Sequence, residues 1–232
     1  TEDAVPGRAR CACLTGLSSS ALTRSMSDDL VQELPEAMRV ALASGGSNRS
    51  IWLSVFALDA RIGTYVLGAK EPLLAQMRIA WWRDQLNEPP TRRPRGDILL
   101  DLIGEAWGND AAKLIDGLDG WEALLGTPPL GDAALAEFVD GRASLAEAIA
   151  MRLGLAHSTQ DARSGGCLWA MAELAYFLPD ENDRALARIG MSDEDGDWHN
   201  LPKDMRPLAV LAGLAERSLD KGGIRLMGDR LS

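Results

Sequence analysis

Ile51, Val55, Leu58, Ile62 and Val66 recur three or four places apart between Ser47 and Gly68. On a helix with about 3.6 residues per turn they fall on one face, whereas on a strand they would scatter over both. Ser47 or Asn48 offers a cap at the start and Gly68 a stop at the end. A helix this apolar on one side must bury that side against something, and the rest of the chain supplies only helices to bury it against.

Helical periods are expected over 30–43, with Pro35 marking a first turn, over 71–86, and over 97–107 with Asp97 at its start. Further ones are expected from Asn109 to about Leu125, from Asp132 through about Leu155, over 167–177, from Asp180 to about Ile189, and over 206–219. The breaks lie at Gly45-Gly46, at the three prolines of 87–96, at Thr127-Pro128-Pro129-Leu130-Gly131, at Pro179 and at Gly222-Gly223. The polar stretch 157–166 reads as a turn. The acidic run Asp193, Glu194, Asp195 and Asp197 reads as a solvated loop. No strand pattern is visible, and β-branched residues and tyrosines are sparse. The expectation is an all-α chain: a single-domain antiparallel helical bundle of about eight to ten helices over 26–232, preceded by a Gly/Ser/Arg-rich flexible extension over 1–25.

Charge narrows the functional classes. The 232 residues carry a net charge of −10, with a pI of about 4.7. An acidic chain without a Lys/Arg block is unsuited to nucleic acid, which needs clustered cations. Three cysteines and two histidines give neither a disulfide framework nor a zinc spacing. No apolar run is expected to be long enough to span a bilayer. A cytoplasmic location follows, with peripheral attachment to a membrane left open.

The stretch 71–86 is the most distinctive. Pro72 suits a first helical turn, and Leu74, Met77, Trp81 and Ile79 fall at helical spacings that make an apolar stripe. Read in full, Glu71-Pro72, then Arg78-Ile79-x-Trp81-Trp82-Arg83-Asp84-x-Leu86 resembles the signature of the squalene/phytoene synthase family, especially its divergent bacterial members and the related mitochondrial complex I assembly factor. A weaker likeness runs from about Arg39 to about Ala215. The resemblance implies the isoprenoid-synthase fold, antiparallel helices around a central cavity. It also implies Mg²⁺-dependent joining of prenyl diphosphates.

That chemistry needs metal ions to neutralise a departing diphosphate, and oxygen ligands to hold the metals. The family supplies them from two D-x-x-x-D helices, whose spacing sets both carboxylates on one face. Here the first matching helix offers only Asp59, with Arg61 and Gly63 where further acids would help. The second offers only Glu173 before Leu174-Ala175-Tyr176-Phe177. Asp59 and Glu173 are the candidate metal ligands. Tyr65, Arg78, Trp81, Trp82 and Arg83 are the candidates for binding diphosphate or a lipid-like ligand, since guanidinium forks suit phosphate oxygens and tryptophans can line a groove or fill a core.

Three readings follow. The first is a non-catalytic family member that needs no cofactor and binds a prenyl diphosphate, a lipid-like ligand or a protein. The second is an active prenyltransferase using Mg²⁺. The third is a helical protein-interaction module. Because the chain is short for the family, its bundle is expected to leave apolar surface uncovered, which favours a homo-oligomer or a protein partner.

Overall fold

The computed structural model describes residues 28–193 and 197–220. Among them there is no strand, and nine helices can be delimited: α1 Glu36–Leu42, α2 Arg49–Leu67, α3 Pro72–Asn87, α4 Ile98–Trp107, α5 Ile115–Ala123, α6 Asp132–Arg152, α7 Thr159–Phe177, α8 Glu181–Asp193 and α9 Arg206–Asp220. The expected extension over 1–25, the glycine pair at 222–223 and residues 194–196 of the acidic run lie outside the described residues.

Several boundaries follow from single residues. Asp97 caps α4 by accepting the Leu99 and Leu100 amides at 2.9 and 3.0 Å. Pro72 occupies the first turn of α3, and Gly68 closes α2. Asp180 accepts the amides of Asn182 and Asp183 at the head of α8. The first expected helix is instead two pieces, because the backbone turns out of the helix at Leu34 and Pro35. Proline cannot donate the amide that a continuous helix would need there.

The stretch 157–166 is not a turn as a whole: α7 already begins at Thr159. Ser164, Gly165 and Gly166 are buried there, and a Cβ on Gly166 would lie 2.9 Å from Ala143 Cα and from the Arg142 carbonyl. Gly166 thus lets α7 lie directly on α6, while a Cβ on Gly165 would press on Leu208 of α9 at 3.1 Å. Gly154, with φ +76°, turns the chain between the two, making an αα-hairpin. A matching contact joins α5 to α6, where a Cβ on Gly141 would meet the Asp116 carbonyl at 2.5 Å. α6 runs unbroken through Gly141.

α2 lies in the core, with Trp52, Leu53, Val55, Phe56, Leu58 and Ile62 buried. By length and composition alone the stretch Gly46–Leu67 would suffice to cross a membrane, but 67% of its most apolar 18-residue window is buried inside the bundle, as in a core helix. Buried tryptophans tie neighbouring elements to it or through it. Trp52 donates to the Asp204 carbonyl at 3.1 Å, and Trp107 donates to the Ser54 hydroxyl at 3.0 Å. Near the far end of α3, buried Arg93 gathers the carbonyls of Gln85, Leu86, Glu88 and Gly108. It thereby caps the ends of both α3 and α4.

Candidate functional site

Arg142 lies on the buried stripe of α6, one or two turns from Phe138, Leu145 and Ile149. Its guanidinium is the hub of the interior. Nε and Nη2 donate to the two oxygens of Asp59, from α2, at 2.9 and 2.8 Å. This is the bidentate fork that suits a carboxylate. Nη1 lies 2.6 Å from Oε2 of Glu173, from α7. All three side chains are almost closed to solvent, at 2%, 1% and 4% exposure.

Aromatic rings complete the cage. The Arg142 Cζ stands 4.0 Å from the Trp169 ring centre, 4.8 Å from that of Phe138 and 5.4 Å from that of Trp121. Cations over ring faces are attracted by the ring quadrupole, most strongly where water is excluded. The two carboxylates outnumber the one guanidinium, and indole N–H groups meet the excess. Trp121 Nε1 donates to Asp59 Oδ1 at 2.7 Å, and Trp169 Nε1 donates to Glu173 Oε1 at 3.2 Å.

The two acids read from the sequence as metal candidates are therefore brought together, with an arginine between them. The donor set does not fit Mg²⁺. The ion takes six oxygens in a near-octahedral shell and keeps several waters. Here both Asp59 oxygens already accept from Arg142, and Glu173 faces the same guanidinium. The cavity beside Asp59 and Trp121 measures about 10 Å³, room for at most one water. Among the described residues no group of three or more Asp, Glu, His or Cys could hold an ion.

The five ligand-binding candidates occupy a different place. Trp82 is buried in the core with Arg61 above its ring at 5.9 Å. Trp81 meets Trp82 edge to face but is 41% exposed. Arg83 pairs with Asp119 and, at 2.8 Å, with Glu122, tying α3 to α5. The hydrogen bonds to Glu122 and then Asp119 raise its guanidinium above the ordinary arginine value, against the effect of burial. Arg78 rests over the Tyr65 ring at 5.1 Å on the outside of the bundle. None of the five reaches the Asp59–Arg142–Glu173 cluster. The stripe expected to be buried on α3 is also corrected: only Ile79 of its four residues faces inward, with Ala75, Trp82 and Leu86, while Leu74, Met77 and Trp81 face out.

A groove of about 460 Å³ lies elsewhere, between Leu30, Pro90, Arg93, Ile98 and Leu102. It contains none of the candidate residues.

Arg142 was not among the residues singled out in the sequence. A signal for it exists: a charge at helical register with Phe138, Leu145 and Ile149 sits on an apolar stripe, and a buried charge requires a partner. Comparison with protein-family models, with curated proteins and with solved structures gave no match.

Proposed function

We propose that this chain is a non-catalytic helical protein of squalene/phytoene synthase-like type, a binding or assembly protein in which an arginine has taken the place of the metal cluster. One observation carries the reading: the Arg142 guanidinium fills the space between Asp59 and Glu173, the two positions that the resemblance matches to the metal-binding helices. A fixed cation there offsets one of the two acid charges, and the indole N–H groups of Trp121 and Trp169 meet the remainder. That cation cannot gather a diphosphate in the way exchangeable Mg²⁺ ions with open coordination positions do.

The packing of Trp121, Phe138 and Trp169 around it leaves no room beside these acids for an isoprenoid tail, since sites for such ligands usually enclose several hundred Å³. This favours a protein partner over an enclosed lipid as the bound species, and it weighs against the prenyltransferase reading. The test is direct. The purified full chain is incubated with Mg²⁺ and either farnesyl or geranylgeranyl diphosphate, and released diphosphate is measured. No release above the protein-free rate is expected. Enzymatic release that depends on Asp59 would overturn the proposal.

A further inference from the structure

Helix α3 carries two apolar stripes, and only one of them is used by the fold. Ala75, Ile79, Trp82 and Leu86 face the core. On the other side Leu73, Leu74, Met77 and Trp81 are 66%, 50%, 62% and 41% exposed. Leu73, Met77 and Trp81 are each four residues apart, so they form one continuous ridge of the kind that interdigitates with a second helix. Scattered exposed leucines need no explanation, but a contiguous apolar ridge on one helix marks an interaction surface.

Charge selects the occupant. Arg78 borders the ridge beside Leu74 and Trp81, its guanidinium propped on Tyr65. Among the described residues no carboxylate pairs with it, whereas Arg83 on the opposite edge is held by two acids. Lys70, just before the helix, is likewise exposed and unpaired among the described residues. In a chain of net charge −10 Arg78 is a local cation on the border of the ridge. A second copy fits poorly, because a two-fold axis through Met77, the middle of the ridge, would bring Arg78 against its own counterpart. An anionic membrane also fits poorly, because the rest of so acidic a chain is repelled by it.

We infer that the outer face of α3 docks an amphipathic helix of another protein, which lays a row of apolar side chains on Leu73, Met77 and Trp81 and presents a carboxylate to Arg78. The inference rests on the non-catalytic reading only in naming its partner. The ridge would remain if prenyl transfer were found.

Two helical peptides of about 20 residues serve as probes. They share leucines at i, i+4, i+7 and i+11 and differ only in carrying Glu or Lys beside that row. Binding to the full chain is read by fluorescence anisotropy. The Glu peptide is expected to bind at least about tenfold more tightly than its Lys twin. Arg78→Glu should reverse that order, and Trp81→Ala should weaken the Glu peptide by about tenfold. All the altered side chains are exposed, and circular dichroism confirms that the variants remain folded. Several outcomes would sink the inference. Equal binding of the two peptides, or binding of neither, is one. Binding that appears only once residues 1–25 are removed is another, and would make the chain's own leading segment the occupant. Binding of phosphatidylserine vesicles through Trp81 in place of the peptides is a third. A dimer in sedimentation that Met77→Glu dissociates is a fourth.

Discussion

Replacing Arg142 by methionine removes one positive charge and leaves two carboxylates facing each other at 1% and 4% exposure. Breaking a buried pair in this way typically costs about 3–5 kcal/mol, because the remaining charges lose their compensation. The Arg142→Met variant is therefore expected to unfold at a much lower urea concentration. The triple variant Asp59→Leu, Arg142→Met, Glu173→Leu should recover much of that loss, because apolar side chains of similar volume can replace a buried ion triad. A triple variant no more stable than the single one would show that the rings, rather than the charges, set the energetics. Arg142→Lys is not a mild change either. A lysine ammonium cannot reproduce the two parallel bonds to Asp59.

At the scale of the helix, close approach dominates. The Gly141 Cα faces the Asp116 carbonyl and Gly120 so tightly that an alanine Cβ would stand 2.5 Å from the former. Both obstacles are backbone, so α5 and α6 must separate to admit it. Gly141→Ala should cost about 1–3 kcal/mol despite alanine's better helix propensity, and thermal unfolding would measure it. The same helix pair sets a pH dependence. Burial first, then the neighbouring Asp119 and Asp140, pushes the Asp116 carboxyl above the ordinary aspartate range, with Arg163 opposing. An acid whose folded value is raised is penalised when ionised. Stability is therefore lost as pH rises from the ordinary aspartate range through the raised value. Asp116→Asn should raise the melting temperature at neutral pH, and the gain should vanish once the solution is acidic enough to protonate the native aspartate in both states.

These elements also show what the sequence made legible. Caps and stops such as Asp97, Pro72 and Gly68 are local signals, and they placed helix ends well. The start of α7 was illegible because Ser164-Gly165-Gly166 looks like a turn when read locally; only the neighbouring helices, α6 against Gly166 and α9 against Gly165, make smallness a packing device. The outward ridge of α3 was misread because two apolar stripes on one helix satisfy the same period, and nothing local says which one is buried. Asp59 and Glu173 could be picked out as isolated acids. Their arginine partner could not be paired with them by spacing, since it arrives from a third helix.

Across the whole molecule, the interior charges are settled by the chain itself. Millimolar Mg²⁺ or an equal excess of chelator should leave the unfolding midpoint unchanged, because a ligand stabilises a fold only if it binds the native state. A rise in melting temperature with Mg²⁺ that disappears in Asp59→Asn would contradict the misfit of the donor set. The sealed centre and the outward face of α3 thus differ in kind: the centre joins α2, α6 and α7 through Asp59, Arg142 and Glu173, while Leu73, Met77 and Trp81 stand in solvent.

A metal must be captured from the surroundings, and it can be starved, exchanged or displaced by a rival. The guanidinium between Asp59 and Glu173 is synthesised with the rest of the chain. The cation at this position is therefore present as soon as α2, α6 and α7 pack around it, and it is inherited with the gene.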